Sequence, residues 1–191
     1  MGSEMCIRDS DMMKNGKLKK NTAVGTVMTN MGFSKFCEAN GIDFVSTKVG
    51  DRYVLESMLQ NGYNIGGEQS GHIIFLDHST TGDGELSGAM LLSIMKRTGE
   101  KLSDLAKIME RYPQVLINVK VSNEGKLSFY TDKEVKAEIN RVTEILGDTG
   151  RILVRVSGTE PLVRVMLEGE NLEQIQTLAE EAAQVVRERL A

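Results

Sequence analysis

The feature that most constrains this chain is a change of pattern near Arg111-Tyr112-Pro113. Before it, short β-branched runs alternate with stretches of helical period; after it the order becomes strand, helix, strand, strand, helix. Alternation of the first kind implies an α/β unit with a mainly parallel sheet, and the second order implies a small α+β layer. Two domains are therefore expected, residues 11–110 and 111–191, with residues 1–10 (MGSEMCIRDS) outside both. Those ten lack hydrophobic periodicity and read as a leader or joining artefact rather than as part of the fold.

In the first unit, Ala23–Met28 and Ile42–Lys48 read as strands. The helix between them puts Phe33, Phe36 and Cys37 on one face, and Asn40-Gly41 ends it. Asp51 is placed to cap a helix with Val54, Leu55, Met58 and Leu59 inward, closed by Asn61-Gly62. Two extended pieces then flank Gly66-Gly67-Glu68-Gln69-Ser70-Gly71-His72, the second being Ile73–Leu76. Asp83–Met95 is apolar almost all round, which predicts a buried helix. In the second unit Val115–Val121 alternates as a strand. Thr131 with Glu134 suggests a capping box ahead of Val135, Ile139, Val142 and Leu146. Ile152–Val156 and Leu162–Leu167 are strands joined by SGTEP, and Asn171 caps a last helix through Leu190.

At 191 residues, 40% hydrophobic and 26% charged, the chain has the composition of a globular protein able to bury a core. No apolar run approaches the roughly 20 residues of a membrane span, so no membrane partner is expected. A net charge of −4 argues against a nucleic-acid partner. Two cysteines, Cys6 and Cys37, make no disulfide framework, which suits a cytoplasmic location. An anionic ligand would need a local positive field built from a few arginines and backbone amides.

Arg155-Val156-Ser157-Gly158-Thr159-Glu160-Pro161 offers such a field: a strand-end arginine, hydroxyls and a glycine in one tight connection, with Arg164 on the next strand. Phosphate dianions favour a forked guanidinium with hydroxyl and N–H donors. Spacing alone fits a hairpin turn flanked by surface arginines equally well. The GGEQSGH run sets polar side chains among glycines, as sugar hydroxyls require, although spacing alone favours a solvated glycine-rich turn. Lys48, in the turn before Asp51, can reach an anion beside a helix N-terminus, or simply be solvated. Thr81-Gly82-Asp83-Gly84 fails the calcium-loop pattern and reads as a helix cap. With His78 the only other histidine, His72 is not read as a zinc ligand, and Cys37 reads as a core residue.

Taken together, VGTVMTNMGF, TKVGDRYVLE, GGEQSGHIIF, TTGDG, RVSGTEP and LVRVMLEGE resemble the alpha-D-phosphohexomutase family, in family order, from about Asp11 to the end. The resemblance implies the α/β third domain followed by the small α+β C-terminal domain, a sheet with two helices. It implies an isomerase of the branch that interconverts glucosamine 6-phosphate and glucosamine 1-phosphate through a bisphosphorylated sugar. The glucose and mannose phosphate branch, or a non-catalytic sugar-phosphate-binding module, is the alternative. On this resemblance Glu68, Ser70, His72 and Lys48 hold the sugar, His72 also assisting proton transfer. Arg155, Ser157, Gly158, Thr159 and Arg164 grip the phosphate that is not transferred. The family's phosphoserine followed by His-Asn-Pro, and its Asp-Gly-Asp-Gly-Asp magnesium run, do not occur here. The expectation is thus a fragment with no metal ligand of its own, inactive alone, with a hexosamine phosphate and the missing N-terminal half as partners. Mg2+ would belong to the full-length enzyme.

Overall fold

The computed structural model describes residues 2–191, with side chains from Met5 onward. The chain divides into two units, the first ending at Arg111 and the second running from Tyr112 to Ala191.

The first unit begins with helix α1 (Gly2–Lys14) and continues through β1 (Thr22–Thr26), α2 (Met31–Ala39), β2 (Asp43–Thr47) and α3 (Asp51–Asn61). Strands β3 (Ile65–Gly67) and β4 (Ile73–Phe75), helix α4 (Gly84–Thr98) and the short α5 (Leu102–Leu105) complete it. The sheet order is β2-β1-β3-β4; β1 pairs parallel with both neighbours and β4 runs antiparallel to β3. Side chains alternate across the sheet. One face buries Ala23, Ile65 and Phe75 with Phe33, Phe36 and Cys37 of α2, and the other buries Val24 and Ile74 with Val54 and Met58 of α3. Burial, and then the charge of Asp9, push the Cys37 thiol far above its ordinary range, so it behaves as a packed apolar group.

The second unit comprises β5 (Gln114–Lys120), α6 (Asn123–Ser128), α7 (Lys133–Leu146), β6 (Gly150–Val156), β7 (Leu162–Gly169) and α8 (Leu172–Leu190). Its sheet is wholly antiparallel, ordered β5-β7-β6. Val119, Val163, Val165 and Leu167 face a core completed by Val135, Val142 and Leu146 of α7 and Ile175, Ala179, Ala183 and Val186 of α8.

Several expectations need correction. Residues 1–10 were expected outside the fold, yet from Gly2 they form α1, with Met5, Cys6 and Ile7 buried. The sequence is poorly suited to that position, because Asp9 is fully buried and neither carboxylate oxygen has a hydrogen-bond partner among the described residues. Helix α4 is not buried: of its residues only Ser87 and Ile94 are, and Leu92 is 64% exposed. It packs by one stripe, Leu86, Met90, Leu91, Ile94 and Met95, which is all one helix face can cover. Leu59 lies outside its stripe at 59% exposure. The N-cap of α3 is Gly50 rather than Asp51, and that of α7 is Asp132, whose carboxylate accepts the Val135 N–H at 2.9 Å, rather than Thr131. Helix α6 was not expected; Ser122 caps it by accepting the Gly125 N–H at 3.0 Å.

Asp9 gives a first prediction. Burial holds its carboxyl well above the carboxylate range, against a smaller opposing pull from Arg8. An acid raised in the folded state loses its proton more readily when unfolded. Its destabilising effect is therefore absent below the unfolded value of about 4 and grows as pH rises above it. Asp9→Leu is expected to raise stability at pH 7 by at least about 1 kcal/mol, with a smaller gain at pH 4. Chemical denaturation at the two pH values checks this, and an unchanged midpoint at pH 7 would mean that Asp9 does not occupy the core.

Candidate functional site

In an open α/β sheet ligands bind beyond the carboxyl ends of the parallel strands, where the strand order reverses. Here α2 carries the chain from β1 to β2 on one side, and α3 carries it back past β1 to β3. The reversal point lies between β1 and β3, so Thr26 and Gly67 end beside it, and Thr47 ends β2 on the other flank of β1.

The loop after β3 is the GEQSGH segment, closing the β3–β4 hairpin. The Glu68 N–H donates to the His72 carbonyl at 2.9 Å, and the Gly71 N–H donates to the Glu68 carbonyl at 3.3 Å. Within it, Ser70 Oγ lies 3.3 Å from Glu68 Oε2 and 3.3 Å from His72 Nδ1. Three of the expected sugar-reading side chains are thus mutual neighbours, and Ser70 and His72 are exposed. Gln69 accepts a long hydrogen bond from Thr26 Oγ1, 3.4 Å, tying the loop to the end of β1. Gly82 packs against the His72 side chain; a Cβ there would lie 3.1 Å from His72 Cβ. The TTGDG loop therefore backs the histidine as well as capping α4, where Asp83 accepts the Leu86 N–H.

Sequence reasoning missed what holds Glu68. The Gly50 N–H donates to Glu68 Oε1 at 2.7 Å, joining the loop after β2 to the loop after β3. Gly50 has φ +132° and ψ 128°, which a side chain would strain. Carboxylates accept several hydrogen bonds, so Glu68 retains acceptor capacity toward a ligand. Lys48, two residues before Gly50, stands 5.9 Å from the centre of the Tyr53 ring and has no carboxylate partner among the described residues.

In the second unit the pairing of β6 with β7 sets Arg155 directly opposite Arg164, on the face away from the valine core. Like charges so placed repel. Arg155 is half-buried and has no hydrogen-bond or ion-pair partner among the described residues. Desolvation, and then the Arg164 charge, pull its pKa below the usual arginine value. Arg164 pairs with Glu160 at 2.7 Å, while its Nε is buried with no hydrogen-bond partner among the described residues. The connecting loop is braced from within. The Ser157 N–H donates to the Leu162 carbonyl at 2.8 Å, and Ser157 Oγ accepts the Glu160 N–H at 3.3 Å. Lys126 of α6 donates to the Glu160 carbonyl at 3.0 Å, adding a third cation. Gly158 and Thr159 are exposed, and the space over Gly158 is open. Ser157, by contrast, is 3% exposed, which fits a brace better than a direct contact.

The result is a local cationic patch on an acidic chain, with one guanidinium lacking a counterion. Glu160 and Lys126 were not anticipated. Glu160 lies within the Arg155–Pro161 segment, but its partner is set by the hairpin's end. Among the described residues no three His, Cys, Asp or Glu side chains group so as to hold a metal ion. No described helix is long and apolar enough to cross a membrane.

Residues 3–112 match the family model for phosphoglucomutase/phosphomannomutase, alpha/beta/alpha domain III, and residues 116–185 match that for the phosphoglucomutase/phosphomannomutase C-terminal domain. The chain is 53% identical over 186 residues to a phosphoglucosamine mutase of Caldanaerobacter subterraneus subsp. tengcongensis, covering 97% of this chain and 42% of that one. It is 50% identical over 187 residues to one from Clostridioides difficile, covering 98% and 42%. Among solved structures, the fold resembles Aspergillus fumigatus N-acetylphosphoglucosamine mutase in complex with GlcNAc-6P and magnesium. The TM-score is 0.80 at 17% identity, over 99% of this chain and 44% of that one. The chain thus spans about two-fifths of the length of these relatives.

Proposed function

The chain belongs to the phosphoglucomutase/phosphomannomutase family, and on that premise we propose that it supplies the sugar- and phosphate-binding part of a phosphoglucosamine mutase. That enzyme interconverts glucosamine 6-phosphate and glucosamine 1-phosphate through a bisphosphorylated sugar. The observation that carries the reading is Arg155, a half-buried guanidinium facing Arg164 without a counterion among the described residues. Such a pair is destabilising by itself and becomes favourable once a dianion bridges it.

In this reading Arg155, Arg164 and the amides of Gly158 and Thr159 hold the phosphate that is not transferred, with Ser157 keeping the loop in shape. Glu68 accepts hydrogen bonds from sugar hydroxyls, Ser70 and His72 complete that loop, and Lys48 adds positive charge. His72 helps to move a proton, a role supported by the 3.3 Å between its Nδ1 and the Ser70 hydroxyl. Holding the idle phosphate and the ring orients the reacting end, the main protein contribution to such a transfer. A divalent metal, which in phosphoryl transfer neutralises developing charge, is assigned no residue of this chain. No Ser-His pair occurs in this sequence either.

The test is calorimetry paired with an activity assay on the purified chain. Saturable glucosamine 6-phosphate binding is expected, with no turnover of glucosamine 1-phosphate when magnesium and a sugar bisphosphate are supplied. Turnover, or the absence of any binding, would contradict the assignment.

A further inference from the structure

Resting on that reading, the loop between β6 and β7 holds a carboxylate where a phosphate site should have only donors. Glu160 Oε2 lies 2.7 Å from Arg164 Nη2, with the two side chains 52% and 30% exposed. The backbone of Glu160 is fixed independently of that ion pair. Its carbonyl accepts from the Leu162 N–H at 2.8 Å and from Lys126 Nζ at 3.0 Å, and its N–H donates to Ser157 Oγ. None of these backbone contacts involves the carboxylate, so rotation about the Glu160 side-chain bonds would leave them in place. Arg155, the other cation of the pair, has no such partner among the described residues.

We propose that Glu160 is a displaceable internal anion, which occupies Arg164 while the phosphate site is empty and must leave it before a phosphate dianion binds. A carboxylate and a phosphate dianion sharing one guanidinium would repel each other, so the ligand competes with the protein's own side chain. The arrangement suits a reaction whose intermediate must release one phosphate and present the other. A carboxylate returning to Arg164 gives the departing phosphate a lower barrier to leave. Glu160 is not a catalytic residue in this account; it sets how firmly the cradle holds.

Calorimetric titration with inorganic phosphate at fixed ionic strength tests this on the wild type, Glu160→Gln and Arg155→Ala. Removing an exposed competing charge is expected to tighten phosphate binding about three- to fivefold in Glu160→Gln. Because Glu160 is exposed, the unfolding midpoint should stay close to wild type, showing that the loop survives. Unchanged or weaker binding in Glu160→Gln overturns the proposal, and weaker binding makes Glu160 a partner that positions Arg164. Arg155→Ala separates the two levels of inference. If it leaves phosphate affinity unchanged, the phosphate-site reading itself fails, and the displacement proposal with it. If neither the wild type nor Glu160→Gln binds phosphate, both fall.

Discussion

Arg155→Ala is expected to weaken glucosamine 6-phosphate binding about 100-fold while leaving the unfolding midpoint unchanged or slightly higher. A forked guanidinium contributes up to two charge-assisted hydrogen bonds to a phosphate, each about 1.5–3 kcal/mol. Losing one or both spans roughly tenfold to well beyond 100-fold in Kd. The stability half of the prediction comes from the empty site. Arg155 faces Arg164 across the sheet and has no ion-pair partner among the described residues, and burial and that like charge depress its pKa. A base held below its ordinary pKa costs the folded state stability wherever the unfolded chain keeps it protonated, as it does at pH 7. Deleting the charge removes that cost. Calorimetry with thermal unfolding checks both halves, and a loss of affinity accompanied by a lower midpoint would point to a structural arginine instead.

Glu68→Ala is expected to weaken glucosamine 6-phosphate about tenfold or more while sparing inorganic phosphate, since a charged acceptor to a hydroxyl contributes about 1.5–3 kcal/mol. The carboxylate is pre-set for that role by the Gly50 N–H and the Ser70 hydroxyl, so little ordering remains for the ligand to impose. Parallel titrations with the two ligands decide the matter. Equal losses for both would remove the sugar-reading role from this loop. Glu68→Gln should fall between, because the amide keeps one acceptor oxygen but loses the charge.

What was legible in the sequence was local. The β-branched runs, the αL glycine at Gly62 that closes α3, and the Asn171 cap of α8, whose side chain accepts the Gln174 N–H at 3.1 Å, are each set by neighbouring residues. The β6–β7 hairpin was equally plain, and its register follows from burying Val163, Val165 and Leu167 on one face, which puts Arg155 and Arg164 together on the other. What was not legible depended on distant partners. Helix α4 carries Glu85, Ser93, Lys96 and Arg97 toward one side and is apolar over most of the rest, and composition alone cannot say which of its apolar residues a neighbour covers. Helix α6 is six residues long, too short to show a period; it is recognisable only from its Ser122 cap and from Gly125, whose Cβ would lie 1.9 Å from the Leu190 carbonyl oxygen. Gly50 and Glu68 are eighteen residues apart, so the N–H that aims the carboxylate emerges only once β1 brings the ends of β2 and β3 into one sheet. Residues 1–10 showed no pattern, and the buried carboxylate of Asp9, without a hydrogen-bond partner among the described residues, is the structural counterpart of that lack.

Nuclear magnetic resonance of the 15N-labelled chain during titration with inorganic phosphate addresses the phosphate cradle most directly. The side-chain Nε–H signals of Arg155 and Arg164 and the amides of Gly158 and Thr159 should shift together along one saturable curve, while residues 68–72 stay still. Shifts scattered over surface lysines, or an Arg155 signal that does not move at saturation, would contradict it.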